Sequence, residues 1–181
     1  MSHREVLTTT VALIASITFA SAAWCDEFTD SLASIRHALD GHWIGVVRGS
    51  DASGETFEVE DAYTFVVTSE DGLDSAQWSA DALEMATHQG EGIYRIRNWN
   101  PAGGRNETEY RIRIESPLDT SGNAAWVLAL EQTASDGTVM DTLEHFSLNG
   151  DSQQMLIEMR PLGSDEPFET VVTGSWTKVA E

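Results

Sequence analysis

Glu144 and His145 stand side by side in "TVMDTLEHFSL" (138–148), with Asp141 four residues before the histidine. A carboxylate and an imidazole within reach of each other are the parts of acid–base catalysis. On a strand, positions 141 and 145 share a face because side chains alternate with a period of two. The ordinary polarity of a strand surface accounts for the same residues, so Glu144 and His145 stand as an alternative catalytic pair. His37, His42 and His88 are scattered and show no His-x-Glu or His-Glu-x-x-His spacing, so no metal site is expected. No Gly-x-Ser-x-Gly elbow, phosphate loop or dinucleotide fingerprint occurs, and no cofactor is expected. A single cysteine, Cys25, leaves stability to packing without an intrachain disulfide.

Aromatic residues carry the second signal, with six tryptophans and three tyrosines. Tyr94 alternates with Ile96, Tyr110 with Ile112 and Ile114, and Trp126 with Leu128 and Leu130. Each apolar row should face inward. Trp78, Tyr94, Trp99, Tyr110 and Trp126 are the expected lining of a small-ligand cavity, because aromatics with a polar tip orient a mostly apolar guest. The plainer reading makes the same five residues core. Arg95, Arg97, Arg111 and Arg113 fall on the opposite face, where they would meet Glu109 and Glu115 in solvent. Facing inward they could clamp an anion, but that would expose the tyrosines and isoleucines between them.

These side chains need elements to hold them. Phe28, Leu32, Ile35 and Leu39 recur at spacings of four, three and four, which places one face of a short helix before Gly41. Thr29 or Asp30 can cap its start and Gly41 can end it. Everything after it alternates. Strands are expected in 42–49, 56–63, 64–68, within 74–88, and in 92–99, 109–115, 125–132, 138–148, 154–160 and 168–179, with turn chemistry between them. No connection is long enough for a helical crossover, so neighbours run antiparallel. The expected fold is all-β, an antiparallel up-and-down barrel of about eight to ten strands with one short N-terminal helix. A β-sandwich is the alternative.

Leu39-x-Gly41-x-Trp43, after a short helix and at the start of the first strand, resembles the opening motif of the lipocalins and of the wider calycin group of barrels. The resemblance implies that glycine turns the backbone and that the indole stoppers the closed end. It also implies a basic side chain of the last strand over the indole, for which Lys178 is the positional candidate and Arg160 the second. The later lipocalin motifs, the disulfide and the C-terminal helix are missing, so no binding residue is carried over.

The N-terminus reads as targeting. His3 and Arg4 precede the apolar run "VLTTTVALIASITFA" (6–20), and Ala20-Ser21-Ala22 has the small-x-small cleavage pattern. Residues 1–22 are therefore expected to be a signal peptide, and 23–181 a single lipocalin-like domain in the periplasm or outside the cell. Trp24 before Cys25 does not suit lipid attachment. Thirty acidic residues against ten basic ones give a net charge of −20. That surface repels nucleic acid and anionic membranes, and no second apolar stretch offers a stable membrane insertion. The expectation is a non-catalytic binding protein for a small, mostly apolar molecule. The alternatives are an isomerase or hydratase in the same barrel, or an interaction module with a filled core.

Overall fold

Short runs of alternating residues, punctuated by Gly, Asn and Asp turns, can only build hairpin on hairpin, and the computed structural model shows where that succession ends. It describes residues 28, 30–50, 54–67, 73–79, 82–90, 93–100, 104–134 and 136–180; for the strand positions between 73 and 108 it describes the backbone alone. Ten strands follow one another: β1 (Gly41–Ser50), β2 (Thr56–Val67), β3 (Leu73–Ser79), β4 (Ala82–Gly90), β5 (Ile93–Asn100), β6 (Gly104–Ser116), β7 (Asn123–Thr133), β8 (Val139–Asn149), β9 (Ser152–Pro161) and β10 (Glu169–Lys178). Each pairs antiparallel with the next, and β1 pairs with both β2 and β10, so the sheet closes into a barrel. Closure joins the first and last strands, while β2 pairs with β3 only over Thr64–Val67, so among the described residues Thr56–Tyr63 are paired on the β1 side alone.

Three strand assignments differ from the sequence expectation, one of them β6, which starts at Gly104 and not at 109. Residues 56–63 and 64–67 form one continuous strand, β2, because Ala62 to Phe65 keep the ladder to β1 unbroken. The uncertain stretch within 74–88 holds two strands, β3 and β4, folded back on each other with Ser79 opposite Ala82. The merger and the split leave the total at ten.

A helix, α1, covers residues 30–39. Its apolar stripe is buried as the spacing requires, with Leu32, Ile35 and Leu39 all below one-tenth exposed. Ile35 and Leu39 pack with Trp43, Tyr63 and Trp176, while Leu32 packs with Tyr110 and Leu130. The helix thus spans the barrel end at which β1 begins, reaching from the β1 wall to the β6–β7 wall. Burial of three such side chains contributes roughly 1.5–3 kcal/mol each. Asp40, just past the helix, accepts a hydrogen bond from the Val67 backbone at 3.3 Å and ties this junction to the end of β2.

The signal peptide expected over 1–22, and Trp24 and Cys25 after it, lie outside the described residues. No helix among the described residues is long and apolar enough to cross a membrane.

Candidate ligand site

Gly41 has a φ of +131°, a backbone that L side chains rarely adopt, and a Cβ there would lie 2.7 Å from Lys178 Cε. The chain can therefore leave α1 and enter β1 sharply only with glycine at this point. The turn drops Trp43 into the barrel end, where it is 0% exposed. Its indole N–H donates to the Leu39 carbonyl at 2.8 Å, and Lys178 Nζ donates to the Ala38 carbonyl at 3.1 Å. Two carbonyls that the helix terminus leaves without intrahelical partners are satisfied in this way. The same Lys178 nitrogen sits 5.6 Å from the Trp43 ring centroid. Arg160 lies elsewhere, over Phe168 and beside Asp141.

Above Trp43 a second layer of aromatics completes the seal. Tyr63 stacks on Trp43 with centroids 6.3 Å apart and meets Trp176 edge-on at 6.0 Å. Trp176 lies across Gly45 and Gly174, where a Cβ would come within 2.6 Å and 2.1 Å of the indole. The polar tips in this layer are partnered. Trp176 Nε1 donates to Asp61 at 2.7 Å, and the Tyr63 hydroxyl donates to Gln153. Burial, and then the Asp61 charge, push the Tyr63 hydroxyl far above the ordinary phenol range, so it stays a neutral donor.

The other half of the inner face is different. Register carries the inward row from Trp43 along β1 to Val47 and Gly49, opposite Val59 and Phe57 of β2. Phe57 folds over Gly49, whose Cβ would stand 2.8 Å from the ring. Val59 is nevertheless 50% exposed and Phe57 36%. Across the barrel, Met140 of β8, Ile157 and Met159 of β9 and Val172 of β10 share the inward row, and each keeps part of its surface exposed. Solvent reaches an apolar inner wall here, although that wall faces the middle of the fold.

One charged side chain stands on this wall. Glu144 lies on β8 between Thr142 and Phe146, opposite Leu128 of β7 and Ile157 of β9. Burial alone raises its pKa from 4.5 to about 7, and no hydrogen bond or ion pair engages its carboxyl among the described residues. Thr142, two positions away on the same face and 1% exposed, has a buried hydroxyl that also finds no partner among the described residues. Buried polar groups are nearly always hydrogen-bonded, so the Thr142 hydroxyl beside the desolvated Glu144 carboxyl makes this stretch of β8 the candidate polar end of a ligand site.

The expected lining is redistributed. Trp126 is 7% exposed and stacked on Phe146 at 5.4 Å, within the packed cluster that seals the barrel. Tyr110 is 8% exposed and held against Leu32 of α1. Both face inward, but they pack against the protein's own side chains. Trp78 lies in β3, and Tyr94 and Trp99 in β5; their side chains are outside the described residues. The β5–β6 register is unbroken, with Tyr94 opposite Tyr110. Positions 94 and 99 therefore fall on opposite faces of the strand.

The Glu144–His145 pairing is corrected for the same reason. Adjacent residues on a strand point to opposite faces. Glu144 faces inward, whereas His145 lies on the outer face, 3.1 Å from Glu158. Asp141, the other suggested partner, bonds Arg160 at 3.3 Å. Arg111 and Arg113 are outward and exposed, and the register sets Arg95 opposite Glu109. No group of three His, Cys, Asp or Glu side chains converges as a metal site among the described residues.

The chain matches no protein-family model and no curated protein. It is similar to a solved structure, that of Rv2717c from M. tuberculosis. The TM-score is 0.50 at 15% identity, over 79% of this chain and 94% of that one. At that identity the likeness is one of fold alone.

Thr142, Val59, Phe57 and Met159 were not singled out from the sequence. The available signal was the alternation of β8, in which Met140, Thr142, Glu144 and Phe146 form one row with a carboxylate inside it.

Proposed function

We propose that this protein is an exported, lipocalin-like barrel that binds a small, largely apolar molecule in the open half of its interior and performs no catalysis. One observation carries the reading. The inner wall from Val59 and Phe57 to Met159 stays exposed and apolar, while the opposite end is stoppered by an indole that no solvent reaches. Ligand sites are typically concave and mostly apolar, with few polar groups. The helix, Gly41, Trp43 and Lys178 support the lipocalin-like assignment, and the targeting pattern of residues 1–22 supports export.

The test is titration with N-phenyl-1-naphthylamine, an uncharged apolar fluorophore, alongside native mass spectrometry of protein from its own producing cells. Saturable fluorescence enhancement with a micromolar Kd is expected, weakened at least tenfold by Val59→Arg at the mouth. A clean unliganded mass together with no saturable enhancement would overturn the reading in favour of an interaction module. The enzyme alternative keeps Glu144 as an acid–base group but loses His145 to the outer face.

A further inference from the structure

We propose that the molecule this barrel takes is a lipophilic amine, its protonated nitrogen held by the Glu144 carboxylate and the Thr142 hydroxyl and its apolar body running along the open inner wall. The inference rests on the binding-protein reading and specifies its ligand class.

Four observations converge on that chemistry. Glu144 is desolvated among Leu128, Ile157 and Phe146 without a donor among the described residues, which leaves a carboxylate short of a counter-charge. Thr142 offers a second, also unpartnered oxygen on the same strand face, its Cα about 7 Å from that of Glu144. A nitrogen between two such acceptors would restore both.

The third observation concerns the alternatives. Among the described cations, Lys178 faces inward but is engaged at the sealed end by Ala38 and Trp43, Arg36 of α1 is half-buried and already engaged, and Arg111 and Arg113 point outward. A fatty acid would therefore bring its carboxylate to a like charge, and an alcohol would leave the Glu144 charge uncompensated. The ring of Phe146, next on the row and backed by Trp126, gives a cation a π-face to approach.

Fourth, the chain carries a net charge of −20, which raises the local concentration of cations around the barrel mouth. From Glu144 the inward row passes Ile157, Met159 and Met140 toward Val59 and Phe57. An alkyl or aryl body of moderate length would lie on these side chains.

The test compares three probes of equal chain length, dodecylamine, dodecanol and dodecanoate, by displacement of N-phenyl-1-naphthylamine at pH 8 and below micelle-forming concentrations. Dodecylamine should bind at least tenfold more tightly than dodecanol, and dodecanoate should bind most weakly. Glu144→Gln should collapse the amine-to-alcohol ratio to near one. Thr142→Val, which keeps the residue's shape, should lower the ratio several-fold and tests the same site if the glutamine variant does not fold. His145→Gln, on the outer face, should leave the ratio as it is. Equal binding of amine and alcohol, tightest binding of dodecanoate, or an amine preference that survives Glu144→Gln would sink the amine assignment while leaving the binding-protein reading standing. Binding of none of the three would remove both.

Discussion

Asp61 and Glu144 both stand on the inner face of the barrel, yet only Asp61 has a donor. At the helix end, the indole of Trp176 donates to Asp61 and Gln153 accepts from Tyr63, while Trp43 and Lys178 satisfy the last carbonyls of α1. Farther along β8, Glu144 and Thr142 face inward with no partner among the described residues, Thr142 opposite the Leu130 that α1 packs against and Glu144 opposite the half-buried Leu128 and Ile157. The contrast separates two uses of one interior. Each polar tip named at the helix end is matched within the fold, whereas the Thr142 hydroxyl and the Glu144 carboxyl have no partner among the described residues. An unpartnered buried polar group costs about 1–3 kcal/mol, a cost that a bound molecule supplying a donor would offset.

The largest effect that can break this contrast is at the stopper. Trp43→Ala should destabilise the protein by about 4 kcal/mol, as expected for a fully buried tryptophan with a cavity left behind. Phe57→Ala, at the mouth, should cost about 1–2 kcal/mol, because the ring already keeps 36% of its surface in water. Urea unfolding of both variants reads the difference directly. Equal costs would mean that the two ends are built alike.

Glu144 sharpens the comparison through pH. Its carboxyl has a pKa of about 7 in the folded chain against 4.5 when unfolded. Between these values the native state binds more protons than the unfolded state, so stability falls as pH rises through that window. The full interval corresponds to on the order of 3 kcal/mol. Glu144→Gln removes this dependence. Relative to the parent protein, the variant should gain most of that amount between pH 4.5 and pH 7.5 and nothing further above it. Unfolding midpoints at pH 4.5, 6 and 8 measure the gain, and a constant difference across the three would show that Glu144 is solvated.

The barrel itself was legible in the sequence because its signals are local. The Phe28-to-Leu39 spacing, the Gly41–Trp43 hinge and the alternation of ten short runs each depend on neighbours a few residues apart. Three boundaries were not legible. Thr64 to Val67 has no turn residue before it, although a boundary is expected there; two residues between Ser79 and Ala82 are too few for composition to mark; and Gly104 and Asn106 read as turn chemistry although they open β6. The ligand site was less legible than the fold, since register over long separations decides it. Trp126 and Tyr110 were rightly placed facing inward, but sequence could not say that Phe146 and Leu32 would fill the space beside them. Glu144 was noticed for the wrong neighbour: adjacency in sequence suggested His145, whereas a strand separates adjacent residues and joins Glu144 to Thr142.

Smaller effects test whether the stopper works as a unit. Lys178→Met keeps the apolar stem but removes the charge over Trp43 and the bond to Ala38. It should cost about 2 kcal/mol, the low end of the sum of a charged hydrogen bond and a partly exposed cation–π contact. Combined with Trp43→Phe, the loss should fall short of additive, because both changes act on the same helix terminus. Strict additivity in that cycle would mean that Lys178 holds the helix independently of the indole.

The smallest expected effect lies on the outer wall at the open end. Arg48 and Glu58 approach to 2.6 Å across β1 and β2, with their side chains 55% and 62% exposed. Water competes for both charges at that exposure, and holding two long side chains in one geometry costs entropy, so their coupling should stay below about 0.5 kcal/mol. A double-mutant cycle of Arg48→Ala and Glu58→Ala measures it. The pair is register-matched on the same hairpin that carries Val59 and Phe57 on its other face. A coupling of 2 kcal/mol or more would mean that the mouth is braced from outside, and the exposure of its inner apolar row would then no longer mark it as the weakly packed end.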